Sequence, residues 1–375
     1  MDEFYMRQAL HIAQNALGRT SPNPMVGAVV VKNGEIVGYG WHKRAGTPHA
    51  EIHALKQAGE LAAGATLYVT LEPCCHHGRT GPCTEAVIHA GIKKVVIAMT
   101  DPNPLVAGCG LAKLREAGIE VIEGVLANEA AQMNEVFIKW IATKMPFGVL
   151  KTAMTLDGKI ATSTGDSQWI TGPAARQRGH QFRSQYDGIV VGIGTVLADN
   201  PSLTARIPNG RNPIRIIVDT MARTPLTAKV VADQLAPTII AVSPLAPAER
   251  VSALKNKGIE ILTIPPDNSG LDLQSLFLKL GEKEITSILI EGGARINASA
   301  LEANIVDKIH CFIAPKIIGG KTAPGPVGGQ GIANLSAAVL LENSTMEYVG
   351  EDILISAYLR RREGRDVYRT CGRIG

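Results

Sequence analysis

Short apolar runs alternate with amphipathic segments along the first 145 residues of the chain. Apolar residues at positions 6, 10, 13 and 17 share one face of a predicted helix over residues 4–17, which Gly18 ends. Asn33-Gly34 stands between two apolar runs and predicts a two-residue hairpin of strands at 25–31 and 35–41. This order favours a sheet that is largely parallel after the hairpin, with helices on both faces. Further strands are predicted at 66–70, 95–99 and 119–123, and further helices at 49–57, 84–89, 111–117 and 129–141.

A second alternating pattern begins after Lys144-Met145-Pro146. Pro146 stops helical continuation and biases Met145 toward an extended backbone, so we place a domain boundary here. The pattern predicts domains over residues 1–145 and 146–360, followed by a basic tail, 361–375, that we expect to be exposed or disordered. Strands are predicted at 147–154, 188–193, 214–219, 238–242, 259–264, 287–290, 308–313 and 353–358, and helices at 174–184, 248–257, 273–280 and 296–303.

Composition and charge narrow the class of protein. The chain has 375 residues with 45% hydrophobic and 19% charged residues, which suits packed domains rather than disorder. A net charge of +4 is too mild for a protein that coats nucleic acid but fits an enzyme with phosphorylated substrates. No apolar run is long enough for a membrane span, and the N-terminus lacks the pattern of a signal peptide. Three of the six cysteines cluster within ten residues, so we expect a reducing, cytoplasmic setting with a local metal site.

One histidine and two cysteines carry the pattern of a catalytic zinc site. His49 and Glu51 open a predicted helix, Cys74 follows a strand, and Cys83 opens the next helix. One imidazole and two thiolates leave a fourth zinc position for water, which then becomes acidic enough to supply hydroxide near neutral pH. Glu51 can take the water proton and return it to the leaving ammonia. The order His-x-Glu, then Pro-Cys and a second Cys, is the signature of zinc deaminases.

The loop between the two cysteines departs from the usual deaminase spacing. It spans residues 75–82, whereas the usual motif has about two residues there. One alternative is a structural zinc knuckle with Cys75, His76 or His77 as the fourth ligand, which leaves Glu51 without a purpose. The other is a set of ordinary buried side chains without metal. Adjacent side chains rarely face one ion, so we expect Cys75 to be a bystander.

Several longer motifs resemble the bacterial bifunctional riboflavin biosynthesis deaminase/reductase family, and the long inter-cysteine loop is one of them. The resemblance extends to about residue 360. The matching stretches are SPNPMVG at 21–27, HAE at 49–51, EPCCHHGRTGPC at 72–83, DPNP at 101–104, KTAMTLDG at 151–158, SQWIT at 167–171, TVLADNP at 195–201, EGG at 291–293 and APK at 314–316. The resemblance implies an α/β chain in which a cytidine-deaminase-like three-layer α/β/α domain precedes a dihydrofolate-reductase-like domain.

The resemblance also implies two consecutive reactions. Zinc hydroxide would deaminate 2,5-diamino-6-(5-phosphoribosylamino)pyrimidin-4(3H)-one, and NADPH would then reduce 5-amino-6-(5-phosphoribosylamino)uracil to the ribitylamino product. The zinc ligands would be His49, Cys74 and Cys83, with Glu51 as proton shuttle. The implied NADPH contacts are Ala153, Trp169, Thr195, Asp199, Thr220, Gly293, Ala294, Arg295, Ile296, Asn297, Ala298 and Ser299. The implied substrate contacts are Ser167, Arg183, Leu203, Arg206 and Glu291.

Two residues of the deaminase half have open interpretations. Asn23 is a candidate partner for the pyrimidine edge, or else a turn residue between two prolines. Arg79 is a candidate partner for the substrate phosphate, or else a solvated loop charge.

The reductase half lacks an ordinary dinucleotide fingerprint. Gly192-Ile-Gly194 has no third glycine at the required spacing. Glu291-Gly-Gly293 follows an apolar strand and precedes a helix, which permits close backbone approach and favours a phosphate at the helix N-terminus. A plain strand-to-helix turn is the alternative. Trp169, considered alone, is expected in the core.

Four polar side chains of this half are candidates for substrate chemistry. Arg183 and Arg206 suit a phosphate because a planar guanidinium can bind it bidentately, although Arg183 can equally be a surface charge. Lys151 and Asp199 are candidates for opening the ribosyl ring or for stabilising the imine that is reduced.

Two other functions compete with this interpretation. One is a nucleic-acid-editing zinc deaminase with an appended interaction domain, which would need a basic groove with stacking aromatics. Aromatic residues make up only 4% of the chain, so we expect small-molecule substrates and no nucleic-acid or membrane partner. The other is a second domain that serves only in dimerisation. Independently of these, we expect a homo-oligomer.

Overall fold

The computed structural model describes residues 1–76, 81–103, 106–268 and 270–360. They form two compact units, the first over residues 1–144 and the second from Met145 onward. The interpretations of Arg79 and of the tail at 361–375 concern residues outside this description. In the described part of the chain, no helix is both long and apolar enough to cross a membrane.

A five-stranded sheet forms the centre of the first unit. Its strands are β1 (Gly27–Lys32), β2 (Glu35–Trp41), β3 (Thr66–Val69), β4 (Lys94–Ile97) and β5 (Glu120–Glu123). Its helices are α1 (Asp2–Ala13), α2 (Ala50–Ala58), α3 (Cys83–His89), α4 (Cys109–Glu116), α5 (Ala127–Met133) and α6 (Glu135–Thr143), with 3-10 turns at Gln14–Ala16 and Gly59–Ala62. The strand order is β2-β1-β3-β4-β5. β1 pairs antiparallel with both neighbours, whereas β3, β4 and β5 are parallel, so the predicted hairpin with parallel strands after it is confirmed.

Glycines let two helices lie directly on opposite faces of this sheet. A Cβ atom at Gly27 would collide with the carbonyl oxygen of Ala9 in α1. On the other face, a Cβ at Gly38 would collide with the carbonyl oxygen of Ala54 in α2, and one at Gly40 would lie 2.6 Å from the oxygen of Ala50. Alternate residues of a strand face the same side, so Gly38 and Gly40 form one flat seat for α2. This seat fixes the height of the first turn of α2 above the sheet.

The single helix predicted over 129–141 is wrong, because Asn134 divides the segment into α5 and α6. The side-chain oxygen of Asn134 accepts a hydrogen bond from the amide of Met25 at 2.8 Å. Its side-chain nitrogen donates to the carbonyl oxygen of Met25 at 3.0 Å. The helix therefore breaks where a side chain fixes the segment that enters β1.

A nine-stranded sheet forms the centre of the second unit. Its strands are β6 (Phe147–Thr155), β7 (Gly188–Gly192), β8 (Ile214–Val218), β9 (Thr238–Val242), β10 (Glu260–Thr263), β11 (Ser287–Ile290), β12 (Lys308–Ala314), β13 (Leu341–Val349) and β14 (Asp352–Leu359). Its helices are α7 (Pro173–Gln185), α8 (Ile193–Asp199), α9 (Lys229–Ala232), α10 (Ala248–Lys255), α11 (Leu273–Glu282) and α12 (Ala294–Glu302), with a 3-10 turn at Leu335–Ala337. The strand order is β10-β9-β8-β7-β11-β6-β12-β14-β13, and all pairings are parallel except the two of β14, which is antiparallel to both β12 and β13.

Alternate residues of the central strands pack into two separate cores. On β7, Val190 packs with α11 and α12, whereas Ile189 and Val191 pack with α8, α9 and α10. Both faces of these strands are thus buried, as expected for parallel strands covered by helices. The predicted α/β architecture is confirmed, and α8, α9 and β13 are additions that the pattern did not predict.

Candidate active sites

The first turn of α2 carries two of the predicted deaminase residues. His49 is the extended residue that precedes α2, and Glu51 lies in the first turn with 3% of its surface exposed. The glycine seat on β2 sets this turn against the sheet, so both side chains face inward. Oε2 of Glu51 is buried without a hydrogen-bond partner, which is unusual for a buried polar atom.

Two thiols complete the cluster around His49. Nδ1 of His49 lies 3.2 Å from Sγ of Cys83 and 3.6 Å from Sγ of Cys74. The three candidate ligand atoms all lie within 4.8 Å of one another. Zinc bonds of about 2.0–2.3 Å in a tetrahedron place ligand atoms about 3.5 Å apart, so this donor set fits a zinc ion. The buried, unpaired carboxylate oxygen beside it fits a group that handles protons.

Hydrogen bonds within the cluster favour thiolate at Cys74. The hydrogen bond from the Cys83 thiol lowers the pKa of the Cys74 thiol, and the Cys83 amide donates to the same sulfur at 3.3 Å. The hydrogen bond with Cys74 in turn raises the pKa of His49, and burial raises the pKa of Glu51. The hydrogen bond between the two thiols also raises the pKa of the Cys83 thiol, so without metal the proton shared by the two sulfurs lies on Cys83, and metal ligation releases it.

The residues proposed as a fourth ligand do not join this cluster in the described part of the chain. Among the described residues, the candidate metal-binding group consists of His49, Cys74 and Cys83. Burial raises the pKa of the Cys75 thiol to about 11, and this thiol hydrogen-bonds with Cys109 instead. His76 is exposed, and His77 lies outside the described residues. Three ligands with one open position are the arrangement of a catalytic zinc site.

A neutral histidine holds Asn23 beside this cluster. Nδ2 of Asn23 lies 3.1 Å from Nε2 of His42, whose Nδ1 lies 3.3 Å from the carbonyl oxygen of Pro48. Burial lowers the pKa of His42, so the ring is neutral and can accept from Asn23 while it donates to Pro48. The His42 ring also packs edge-on against His49, with centroids 5.2 Å apart. The sequence interpretation missed His42, although its place at the end of a strand near His49 was a usable signal.

Glu72 is a second residue whose role was not predicted. It is 5% exposed and lies two residues before Cys74. Its carboxylate accepts four backbone N–H groups, those of Asp101, Gly108, Gly110 and Leu111. The motif EPC places a glutamate two residues before the candidate metal ligand Cys74, and this was the available signal.

The close seat of α2 on β2 gives a first testable expectation. We expect Gly40→Ala to lower the free energy of unfolding of the first unit by about 1–3 kcal/mol, because overpacking against a backbone forces atoms to shift. The same shift moves His49 away from the thiols, so zinc affinity should fall as well. The measurements are chemical denaturation and a chelator titration. Gly81→Ala is the matched control, since a Cβ there meets nothing within 4 Å. Equal effects at Gly40 and Gly81 would contradict the role of the seat.

A cleft in the second unit is built around the carboxylate of Glu291. This group accepts hydrogen bonds from Nε of Arg183 at 2.9 Å and from its Nη2 at 2.8 Å. Nζ of Lys151 lies 3.9 Å from the same carboxylate. Burial opposes ionisation, but the charges of Arg183 and Lys151 hold the pKa of Glu291 down to about 2. Arg183 is therefore a buried ion-pair partner, and its interpretation as a surface charge is wrong.

The start of α12 forms another wall of this cleft. The cleft has a volume of about 120 Å³, and its lining includes Lys151, Ala153, Glu291 and Asn297. Nδ2 of Asn297 donates to the carbonyl oxygen of Pro326 at 2.8 Å, while its buried Oδ1 has no partner. A Cβ at Gly292 would overlap the side chain of Ile296, so the chain needs glycine there to enter α12. An unpaired amide oxygen beside a helix N-terminus fits a nucleotide ligand with hydrogen-bond donors and phosphates.

The remaining predicted residues of this half take different positions. Trp169 is 61% exposed, so its interpretation as a core residue is wrong. Arg176 stacks on its ring at 4.7 Å. Leu203 has its side chain in the hydrophobic core, with a positive φ of 56°, so only its backbone can face a ligand.

The other predicted contacts range from exposed to buried. Arg206 is exposed, and its Nε lies 3.3 Å from Nε2 of His180. Gly293, Arg295 and Asp199 are exposed, and Asp199 ends α8. Ile296 and Ala298 are buried on the inner side of α12. The partly buried members of the set are Ser167, Thr195, Thr220, Ala294 and Ser299.

Fold and site together define a class of protein. The first unit is a zinc deaminase domain by its sheet, its His-x-Glu turn and its two thiols. Its residues 1–99 match the family described as the cytidine and deoxycytidylate deaminase zinc-binding region. Residues 146–355 of the second unit match the RibD C-terminal domain.

Relatives along the full chain identify the family. The riboflavin biosynthesis protein RibD of Actinobacillus pleuropneumoniae is 50% identical over 94% of this chain and 93% of its own length. RibD of Bacillus amyloliquefaciens is 44% identical over 98% of this chain and all of its own length. Acinetobacter baumannii RibD has a similar structure, with a TM-score of 0.87 and 38% identity over 96% of this chain and 99% of that one.

A Thermotoga maritima structure is also similar, with a TM-score of 0.85 and 40% identity over 96% of this chain and 99% of that one. It is described as a diaminohydroxyphosphoribosylaminopyrimidine deaminase/5-amino-6-(5-phosphoribosylamino)uracil reductase. This chain belongs to the RibD family of riboflavin biosynthesis proteins. The family resemblance that the sequence motifs indicated is therefore confirmed, as is the presence of a deaminase and a reductase domain in one chain.

Proposed function

We propose that the two units catalyse consecutive steps on one phosphoribosyl-pyrimidine. The first unit hydrolyses the C2 amino group of 2,5-diamino-6-(5-phosphoribosylamino)pyrimidin-4(3H)-one. The second reduces the ribosyl group of 5-amino-6-(5-phosphoribosylamino)uracil with NADPH. The observation that carries the proposal is the cluster of His49, Cys74 and Cys83 beside the buried Glu51, whose Oε2 has no hydrogen-bond partner. The two activities in the description of the Thermotoga maritima relative support the choice of substrates.

Deamination needs a ligand set and a proton carrier. His49, Cys74 and Cys83 would hold zinc, which when bound lowers the pKa of a water molecule in its open position. Oε2 of Glu51 takes the proton of the attacking water and returns it to the amino group, which leaves as ammonia. Asn23 is positioned by neutral His42 and binds the edge of the pyrimidine. Arg79 is proposed as a partner of the substrate phosphate.

Reduction is assigned to the cleft around Glu291. NADPH would bind along Gly293–Ser299, with Ala153, Trp169, Thr195, Asp199 and Thr220 as further contacts, and would supply the hydride. Oδ1 of Asn297 is available to accept a hydrogen bond from this ligand. Glu291, Ser167, Leu203 and Arg206 are proposed to bind the other substrate.

Basic side chains around this cleft are assigned two roles, phosphate binding and proton donation. Nε and Nη2 of Arg183 donate to Glu291, and its Nη1 donates to the carbonyl oxygen of Thr204 at 3.3 Å. The substrate phosphate is therefore assigned to the remaining N–H groups of Arg183 together with Arg206. Lys151 is held in the cleft by the same carboxylate, and it donates a proton as the ribosyl ring opens. Asp199 is exposed at the end of α8, where it suits a cofactor contact better than ring opening.

Removal of zinc should separate the two activities. We expect a chelator to stop ammonia release from the diaminopyrimidine nucleotide, while NADPH oxidation continues when the deaminated intermediate is supplied. Ammonia assay and absorbance of NADPH measure the two rates, and added zinc should restore the first. Simultaneous loss of both rates would contradict the proposal of two independent sites.

The same assay tests the competing nucleic-acid function. We propose small-molecule substrates without nucleic acid, so ammonia release should proceed with the free nucleotide and no RNA. Activity on RNA together with no activity on the nucleotide would favour an editing deaminase.

Two further proposals concern the setting of the protein. Zinc-binding thiols need a reducing compartment, which supports a cytoplasmic location.

A homo-oligomer is supported by the edge strand β13, where Leu341, Met346 and Tyr348 are exposed, because such an edge can pair with a second copy. Light scattering of the purified chain measures the mass, and a monomeric mass at micromolar concentration would contradict the oligomer.

A further inference from the structure

Glu72 connects three segments that meet behind the zinc ligands. It leaves the sheet after β3, where its own amide donates to the carbonyl oxygen of Met99 at 3.0 Å. Oε2 accepts the amides of Asp101 at 3.1 Å and Gly108 at 3.0 Å. Oε1 accepts the amides of Gly110 at 2.8 Å and Leu111 at 3.3 Å. One buried carboxylate thus joins the chain before Cys74, the turn after β4 and the start of α4.

The start of α4 also rests directly on the residue before Cys74. A Cβ atom at Gly110 would overlap the carbonyl oxygen of Pro73. The backbone of α4 therefore closes against Pro73 only because position 110 is glycine and because Glu72 binds the amides next to it. Cys74 follows immediately, and its carbonyl oxygen accepts the amide of Thr84 at 3.2 Å while its sulfur accepts the amide of Cys83.

We propose that Glu72 is a positioning residue for the metal site, which acts through Pro73 on the thiolate of Cys74. Hydrogen bonds to a carboxylate are stronger than those between neutral groups, and four of them on one buried group leave Glu72 little freedom. The chain before Cys74 is held on one side by β1, because the amide of Thr70 donates to the carbonyl oxygen of Gly27 at 3.0 Å. On the other side it is held by Glu72 and α4. This inference rests on the proposed zinc deaminase function of the first unit.

The test compares Glu72→Gln with Glu123→Gln. The side-chain amide introduced by Glu72→Gln would turn its NH₂ group toward backbone N–H groups, so two of the four bonds are lost. Glu123 pairs with Arg115 at the far end of α4, so its loss removes a carboxylate contact of the same helix without touching Glu72. In the zinc-free full chain, we expect hydrogen exchange to accelerate at least about 10-fold in Glu72→Gln only, at two or more of the amides of Asp101, Gly108, Gly110 and Leu111.

Zinc affinity separates a positioning role from a merely structural one. Loss of an outer-shell partner typically costs about 10–100-fold in metal affinity, and we expect this loss for Glu72→Gln in a chelator competition with zinc chloride. The visible spectrum of the cobalt-substituted chain should also change in its sulfur-to-cobalt band. Glu123→Gln should match the wild type in both. Faster amide exchange together with unchanged zinc affinity and cobalt spectrum would overturn the proposal, as would unchanged amide exchange.

Gly110→Ala provides an independent variant if Glu72→Gln fails to fold. It keeps the carboxylate but forces α4 away from Pro73, so we expect the same direction of change in zinc affinity. Wild-type affinity in Gly110→Ala would overturn the proposal. Absence of ammonia release from the zinc-loaded wild type would instead count against the proposed deaminase function, since zinc affinity and amide exchange do not depend on turnover.

Discussion

Replacement of Glu51 by Gln is expected to lower the rate of deamination about 10²–10⁴-fold, the usual contribution of a positioned acid–base group. Gln has nearly the same shape as Glu but cannot carry a proton between water and the leaving amine. Oε2 of Glu51 has no partner, and Gln keeps a side-chain oxygen that can still accept the hydrogen bond from the Cys83 thiol. The measurement is ammonia release at saturating substrate and zinc.

Two readouts and one control variant make this expectation specific to proton transfer. The zinc content of Glu51→Gln should equal that of the wild type, because Glu51 is not among the three ligand candidates. NADPH oxidation with the deaminated intermediate should be unchanged. Glu60→Gln is the control, since Glu60 is an exposed carboxylate just after α2. Zinc loss in Glu51→Gln would show a ligand role instead, and retained deamination would exclude Glu51 as the proton carrier.

Replacement of Glu291 by Gln is expected to destabilise the second unit by about 3–5 kcal/mol, because it leaves a buried positive charge without its partner. The side chains of Arg183 and Glu291 are only 17% and 8% exposed. The Arg178–Glu347 pair provides the comparison, since it also joins α7 to a carboxylate, with side chains 36% and 52% exposed. Glu347→Gln should cost less than about 1 kcal/mol. Hydrogen exchange of the buried β7 amides measures both free energies of unfolding, and equal costs would contradict the expectation.

The same pair predicts how the stability of the second unit depends on pH. The pKa of Glu291 is about 2 in the folded chain, against an ordinary value of 4.5. Because the pKa of Glu291 is lower in the folded chain, its carboxylate contributes fully to the stability of the second unit above pH 4.5. This contribution is lost as the pH falls from 4.5 to 2. The shift corresponds to about 3 kcal/mol. We expect this slope in the wild type and its absence in Glu291→Gln, and a parallel decline in both proteins would contradict the assignment.

The cluster of His49, Cys74 and Cys83 was predictable because its signals are local. His49 and Glu51 are separated by one residue at a helix start, and Cys83 opens another helix. Glycine, proline and Asn-Gly mark the ends of helices and strands in the sequence. The residues of the cluster lie at such ends. The hairpin at Asn33-Gly34 was predictable for the same reason, since Asn33 and Gly34 both adopt positive φ.

Residues fixed by distant partners were not predictable. Asn134 breaks a helix because of Met25, 109 positions away in the sequence. The pair of Asn23 and His42 and the contacts of Glu72 likewise depend on tertiary packing. The strand β13 was missed because almost all of its residues are exposed, so no alternation of apolar and polar positions marks it. Trp169 is exposed, and Arg176 stacks over one face of its ring, a contact that composition alone does not reveal.

The glycine seat under α2 has a consequence for the order in which the metal site assembles during folding. The hairpin of β1 and β2 and the helix α2 lie between residues 27 and 58, so their contacts close short loops and form fast. This local unit carries His49 and Glu51. Cys74 and Cys83 depend on the parallel pairing of β3 with β4, which requires a crossover connection and is intrinsically slower. We therefore expect His49 and Glu51 to reach their folded positions before Cys74 and Cys83 do. Zinc binding would then complete the folding of this unit.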